Sequence, residues 1–308
     1  MLGTDDRLTT VKPTPTTTVA NQYAHRPPPT DIHLTGWKKT GPDSHLVSAR
    51  WPRRHSFYHS PHGVHDPLLL CESLRRCGLL LTRTTLKTPP GHHPTWTSLR
   101  YSANPAALRI TTTPTTIEMH AQHTEIHYQG TLPTTTTLRV EVILDAALLA
   151  VATLTFDRPT PPTHHHHPTP PPHPPTPPIP PTTAGRTRKQ DVVLSPTDDP
   201  HRWRLRPTPH HPTLLPHPTP HAPHMLLLEA IRQASHATHP THPTHTPTTM
   251  HATFHRPTHL HHPCWIETET HPTPTPNKTN KTTKTTHINA LQHGHLTLTA
   301  TTHLTPPT

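Results

Sequence analysis

Two glutamates, each followed three residues later by an arginine, are the strongest candidates for chemistry in this sequence. Glu72 and Arg75 lie in the apolar segment PLLLCESLRRCGLLL, and Glu229 and Arg232 lie in MLLLEAIRQA. Residues three apart share one face of a helix, so each pair can form an ion pair there. An exposed pair of this kind contributes little, but a carboxylate in so apolar a segment is either paired or functional.

The two segments are copies of one pattern. When Glu72 is aligned with Glu229, the surrounding aliphatic residues and the arginine fall at the same offsets. Upstream, HSFY at 55–58 is a loose counterpart of HPTLL at 211–215. The offset is close to half of the chain, which predicts an internal duplication of a unit made of strands, one helix and a sheet.

The elements that would position these residues follow one order, a buried helix and then antiparallel strands. After the first helix come the strand-like stretches WTSLRYSA, IEMH, EIHYQG, TLRVEVIL and LLAVATLTF. TLRVEVIL alternates partly, as expected of a sheet with one wet face. In the second half DVVL and WRLRP precede the helix, and CWIETET and INALQHGHLTLTATT follow it. The predicted fold class is α+β.

Composition divides the 308 residues into four parts. Residues 1–30 read as a polar leader, 31–158 as the first folded repeat, 159–185 as a Pro/His/Thr-rich linker, and 186–308 as the second repeat with a low-complexity insertion at 235–263. The 47 prolines and 37 histidines cannot all belong to a core. Such tracts favour polyproline II, so we expect them to be disordered spacers.

Several classes of protein are disfavoured by composition. The net charge of +10 comes from scattered basic residues without a DNA-binding motif, so no nucleic-acid partner is expected. No apolar run approaches the ~20 residues that span a bilayer, and the N-terminus lacks the pattern of a signal peptide. Three cysteines indicate a reducing, cytoplasmic location rather than a disulfide framework. The histidine runs lack the spacing of a closed metal site, so neither a metal nor another cofactor is expected.

Three longer stretches of the sequence resemble a known protein family. HLTGWKKTGPDSHLVSARWPRRHSFY (33–58), HDPLLLCESLRRCG (65–78) and HAPHMLLLEAIRQA (221–234) resemble the A-factor biosynthesis (AfsA-type) hotdog family, the γ-butyrolactone synthases. The resemblance covers both ordered halves but not the His/Thr/Pro tracts. It implies two tandem hotdog repeats, each a central helix wrapped by an antiparallel sheet, which form a pseudo-dimer within one chain.

The resemblance also implies an activity and a site. The family joins a β-ketoacyl group, delivered as an acyl carrier protein thioester, to the hydroxyl of dihydroxyacetone phosphate. The product leads to a butyrolactone signal that controls antibiotic production and secondary metabolism. The family's important residues fall on Glu72, Glu229 and Arg232, which we expect to be catalytic, with Arg75, His55 and His221 as candidate substrate-binding residues.

The residue types suit this reaction. A partly buried glutamate with a raised pKa can deprotonate a hydroxyl, and the sequence leaves open whether Glu72 or Glu229 does so. Arg232 can grip the phosphate through its forked guanidinium. Backbone amides at the start of a central helix can stabilise negative charge on the thioester carbonyl. The positive net charge would attract an acidic carrier protein.

One departure from the family pattern precedes the second helix. Where the family has Asp-His and then Pro-Gly-Met, this chain has Pro220-His221 and then Pro223-His224-Met225. The missing glycine predicts an obstructed approach of a ligand to this helix end. Three alternatives therefore stay open beside the synthase: a hotdog protein that binds an acyl chain or signal without chemistry, a drifted inactive copy, and a thioester hydrolase.

Overall fold

A computed structural model describes residues 32–59, 62–86, 93–130, 132–160, 176–242, 244–271 and 284–306. The predicted polar leader and most of the predicted linker lie outside these residues. The disorder predicted for them therefore concerns residues that the structure does not describe. In the described parts of the chain, neither helix has the length and apolar character needed to cross a membrane.

The two repeats contain the same elements in the same order. The first consists of β1 His33–Lys39, β2 Ser44–Trp51, α1 Pro67–Thr84, β3 His93–Ala103, β4 Thr115–Gln129, β5 Leu132–Leu144 and β6 Ala147–Thr160. The second consists of β7 Leu194–Pro196, β8 Arg202–Leu205, α2 His224–Thr238, β9 Thr246–Phe254, β10 Trp265–His271, β11 Lys284–Gln292 and β12 His295–Thr305.

All of these strands form one 12-stranded antiparallel sheet. Its order is β1-β2-β4-β5-β6-β3-β9-β12-β11-β10-β8-β7, so the second half repeats the first in reverse. The halves join where β3 pairs with β9, with Leu99 opposite Ala252 and Tyr101 opposite Met250. This pseudo-symmetric order confirms the predicted tandem repeat and the α+β class.

Each helix is buried because it is apolar on most of its faces. α1 begins at Pro67, which needs no N–H partner, and Asp66 caps it by accepting a hydrogen bond from the amide of Leu68 at 2.9 Å. α2 begins after Pro223, which offers no side-chain cap. The helices pack against each other, and residues from both repeats form a single hydrophobic core. The site at the junction of the repeats is therefore built on rigid elements.

The structure differs from the sequence prediction in three segments. Strands β1 and β2 precede α1, whereas the strand-like stretches predicted for the first repeat all follow the helix. Residues 235–263 are not simply an insertion, because they hold the last turn of α2 and all of β9. β-branched threonines suit a strand, and Met250 and Ala252 bury its inner face. Within the predicted linker, Ile179 and Ala184 are buried against the second repeat.

Three buried histidines and one half-buried histidine are hard to protonate. Burial lowers the pKa of His65, His123 and His224 to about 4, and burial followed by the charge of Arg232 lowers that of His236 to about 3. A group with a lowered pKa in the folded state binds its proton more readily in the unfolded state. The fold therefore loses stability as pH falls from the unfolded value near 6.5 toward 4.

We expect the free energy of unfolding to fall between pH 6.5 and 4 by up to about 1.4 kcal/mol per pH unit for each such histidine. His123 offers the test, since neither of its ring nitrogens has a hydrogen-bond partner among the described residues. His123→Leu should make the pH dependence shallower. Urea unfolding at several pH values measures this, and identical slopes for the two proteins would contradict it.

Candidate functional site

Glu229 lies at the centre of a buried ion cluster. Arg186 donates from Nε to Oε1 at 2.8 Å and from Nη2 to Oε2. Arg232 donates from Nε to Oε2 at 3.0 Å and from Nη2 to Oε1 at 2.9 Å. Gln233 adds a further bond to Oε1. Burial alone would raise the pKa of Glu229, but the charges of Arg186 and Arg232 outweigh it and lower the pKa to about 2.

The cluster joins the two repeats. Asp66 of the first repeat places Oδ2 3.2 Å from Nη2 of Arg186 and 3.7 Å from Nε of Arg232. Arg186 also donates from Nη1 to the carbonyl of Phe57 at 2.9 Å and lies 4.2 Å from the centre of that ring. Two guanidinium groups thus face two carboxylates, and the buried charges balance.

A cleft opens beside this cluster. Its empty space, including the part open to solvent, is about 370 Å³, of which about 30 Å³ is a cavity able to hold water. Its walls come from the start of α1, the second half of α2, β9 and the loops between them: His59, His62, Asp66, Pro67, Gly185, Arg232, His236, His245, Thr246 and Pro247. Among the described residues, no group of three or more His, Cys, Asp or Glu is arranged to hold a metal ion.

Arg232 presents a nitrogen at this cleft. Its Nε and Nη2 bind Glu229, and Nη2 also donates to the carbonyl of Ala184 at 3.0 Å. Nη1 makes no hydrogen bond to any residue that the structure describes. A Cβ added to Gly185 would lie 3.1 Å from Nη1, so the glycine leaves the space beside it open. Nη1 can therefore donate to an oxygen atom of a ligand, while the forked edge predicted to hold phosphate is already occupied.

The second predicted pair, Glu72 and Arg75, is confined to its own helix. Arg75 donates from Nε and Nη2 to the two oxygens of Glu72, both at 2.7 Å, and Arg76 donates from Nε at 2.8 Å. Burial acts to raise the pKa of Glu72, but these arginines lower it. Arg75 is 40% exposed, and neither residue lines the cleft. The raised pKa expected of a basic glutamate is thus found at neither position.

The start of α2 is filled. The ring of His224 lies 5.7 Å from that of Trp96 and 4.6 Å from that of Phe254, and its Nε2 donates to the carbonyl of Trp96 at 3.2 Å. The ring of His224 therefore occupies the space at this end of α2, and the obstructed approach of a ligand stays a prediction. His221 is exposed, and its ring lies 4.5 Å from that of His259 with the planes inclined by 58°, outside the residues that line the cleft.

His55 caps its own turn. Its Nδ1 accepts hydrogen bonds from the amides of Phe57 and Tyr58, both at 3.0 Å. His211 does the same in the second repeat, with the amides of Thr213 and Leu214. The loose match between HSFY and HPTLL is therefore a shared turn, and these contacts favour a structural role for His55.

Backbone amides at the start of α1 are not available as predicted. Pro67 has no N–H, the amide of Leu68 donates to Oδ1 of Asp66, and the amide of Leu69 donates to the carbonyl of Asp66 at 2.8 Å. Nη1 of Arg232 is a side-chain donor beside Gly185 in the cleft wall.

Asp66, Arg186 and Gln233 were missed from the sequence. Asp-Pro directly before an apolar helix is a start signal, and it could have identified Asp66 as a cap. Arg186 is part of a basic group, Arg186–Lys189, that resembles any solvated surface. Its partner Glu229 is 43 residues away, and only the fold brings the two together.

Two copies of a helix wrapped by antiparallel strands, with a polar site at their junction, define a hotdog-fold protein. The structure resembles the 12:0-ACP thioesterase from Umbellularia californica, with a TM-score of 0.51 and 12% identity over 85% of this chain and 97% of that chain. An acyl-ACP thioesterase from Bacteroides thetaiotaomicron gives a TM-score of 0.50 and 9% identity over 84% and 97%. At these identities the likeness concerns the fold alone.

Sequence similarity is more specific. The pattern of the A-factor biosynthesis hotdog domain matches residues 8–158 and 167–306. A 2-oxo-3-(phosphooxy)propyl 3-oxoalkanoate synthase from Streptomyces virginiae is 31% identical over 259 residues, 82% of this chain and 88% of the relative. A synthase of the same name from Streptomyces griseus is 32% identical over 255 residues, 80% and 84% respectively. The chain belongs to the A-factor biosynthesis hotdog family.

Replacing Glu229 by glutamine should destabilise the fold rather than leave it intact. Glu229→Gln leaves Arg186 and Arg232 buried against Asp66 alone, and a broken buried pair of this kind costs about 3–5 kcal/mol. Glu72→Gln is the matched control, because the 40% exposed Arg75 can turn to solvent. Urea unfolding should show a much smaller loss for the control, and equal losses would contradict this account of the cluster.

Proposed function

We propose that this protein transfers a 3-oxoacyl group from an acyl carrier protein thioester to the hydroxyl of dihydroxyacetone phosphate. The product is a phosphorylated ester on the route to a γ-butyrolactone. The synthase names of its relatives support this reaction. The observation that carries the proposal is the cleft at the junction of the repeats, which is lined by Arg232, the arginine that the cluster of Glu229 holds in place.

Arg232 is the proposed contact for the phosphate of the acceptor. Because Glu229 occupies its forked edge, Arg232 binds through Nη1 as a single donor. Glu229 has the role of a positioning residue, since all of the hydrogen bonds at its two oxygens hold cations or Gln233 in place. Glu72 holds Arg75 and Arg76 in the other helix in the same way.

The proposed carrier protein would dock on a basic patch made of Arg53, Arg54, Arg188 and Lys189. All four residues are exposed. Their two segments touch where Nη2 of Arg188 donates to the carbonyl of Ser56 at 3.1 Å, close in sequence to His59 of the cleft. Positive charge on this patch would steer an acidic partner toward the protein. The three cysteines are free and buried, in keeping with a proposed location in the reducing cytoplasm.

The decisive assay combines the purified protein with a 3-oxoacyl carrier-protein thioester and dihydroxyacetone phosphate, followed by mass spectrometry. A phosphorylated ester that requires both substrates is the expected result. Free 3-oxo acid formed at the same rate without the acceptor would instead identify a hydrolase. A thioester that stays bound and intact would identify a binding protein.

Gly185→Ala tests the place of the acceptor. The added Cβ lies 3.1 Å from Nη1 of Arg232, and the φ of +62° adds strain. We expect the KM for dihydroxyacetone phosphate to rise about ten-fold, the equivalent of one lost hydrogen bond. Gly294→Ala is the control, because Gly294 has a φ of +75° with nothing within 4 Å of its added Cβ. Equal KM values for the two variants would argue against this acceptor site.

The basic patch has its own test. The double reversal Arg53→Glu/Lys189→Glu should lower kcat/KM for the carrier-protein thioester about ten-fold at low salt and weaken its salt dependence, because electrostatic steering acts on encounter. A short N-acetylcysteamine thioester should react unchanged. Lys39→Glu/Arg100→Glu makes the same change in net charge at exposed positions outside the patch. If both doubles behave alike, the patch does not dock the carrier.

A further inference from the structure

His59 is a histidine of the cleft to which no role has been assigned so far. It lines the same space as Arg232 and is half-buried. Its Nδ1 lies 3.0 Å from the carbonyl oxygen of His55. Because a carbonyl oxygen can only accept, Nδ1 carries the proton, and Nε2 is the basic nitrogen of the neutral ring.

The surroundings keep this ring neutral. Burial lowers the pKa of His59, the hydrogen bond to His55 opposes that effect, and the charges of Arg186, Asp66 and Arg188 act in both directions. The other titratable residues of the cleft wall are Arg232, His62, His236 and His245. An uncharged imidazole with a fixed tautomer can accept a proton at neutral pH.

Three other groups at or beside the cleft, Glu229, Asp66 and His236, are poorer bases. Both oxygens of Glu229 are occupied by cationic donors and Gln233. Asp66 accepts from the amide of Leu68 through Oδ1 and faces the two guanidinium groups through Oδ2. Burial and then the charge of Arg232 lower the pKa of His236 to about 3, which leaves it a weak base.

We propose that Nε2 of His59 is the general base of the acyl transfer. This inference rests on the proposed function. His59 takes the proton from the acceptor hydroxyl as its oxygen attacks the thioester carbonyl carbon. The tetrahedral intermediate then collapses, the C–S bond breaks, and the protonated ring returns the proton to the leaving sulfur. An ester and a free carrier-protein thiol result, and the base is regenerated.

The test compares two variants that each keep one half of the ring's hydrogen bonding. His59→Asn places an amide N–H near the position of Nδ1, and so can still bond to the carbonyl of His55, but it lacks the base. His59→Gln reaches toward the position of Nε2 without being basic. We expect both to lower kcat by 10²- to 10³-fold, roughly the contribution of a general base, with KM for the acceptor changed less than about three-fold. His120→Asn, at an exposed position of β4, is the control.

The pH profile separates a base from a structural residue. In the wild type, kcat/KM should rise with pH through a pKa below 6.5 and then level off, because the base must lose its proton. His59→Asn should lack this acidic limb. A variant that keeps the wild-type kcat, or keeps the limb, would overturn the assignment.

The two proposals fail in different ways. If the wild type makes no ester but hydrolyses the thioester, the acceptor has been assigned wrongly, and the same variants then test His59 as the base that activates water. If the wild type makes the ester and His59→Asn makes it equally fast, the function stands and His59 is not the base.

Discussion

The buried carboxylate of Glu229 is the constraint on which the site depends. A fully buried anion is tolerated only with cations and donors around it, and Arg186, Arg232 and Gln233 supply them. The ion pair between Arg186 and Glu229 fixes the segment before β7 against α2. The second guanidinium charge is balanced by Asp66 at the start of α1. One interaction therefore holds together three stretches of chain from two repeats, and the cleft lies where they meet.

The same fold occurs twice, but its two equivalent ends differ in the described residues, because the cleft lies at the start of α1 and the ring of His224 occupies the start of α2. The difference lies in two residues at each helix start. Asp66-Pro67 caps α1 compactly and leaves space that Gly185 keeps open. Pro223-His224 offers no side-chain cap, and the ring of His224 fills the space against Trp96. The two repeats thus share one fold, but the residues at their helix starts differ, and so does the space beside each helix.

Patterns that are local in sequence could be predicted, and those that depend on the fold could not. Both helices, the repeat and the Glu–Arg pairs follow from apolar spacing. β9 was missed because its composition of Thr, Pro and His resembles the neighbouring tracts. The direction of the pKa shift of Glu229 was wrong because burial was visible in the sequence, whereas Arg186 as its partner was not. The sequence does not distinguish His59 from the many other histidines. Its contact with the carbonyl of His55 can be seen only in the structure.

A balanced cluster is also what allows a cation and a neutral base to share one cleft. Arg232 uses two of its nitrogens on Glu229, so the third is held at a fixed place before a ligand arrives, and little reorganisation is needed during the reaction. The carboxylates of Glu229 and Asp66 offset the two guanidinium charges. The positive electrostatic potential at the ring of His59 is therefore smaller than two unpaired arginines would produce. An unbalanced pair of arginines would lower the basicity of the ring further. In the proposed reaction, the carboxylate of Glu229 would act by positioning Arg232 and not by touching the reacting atoms.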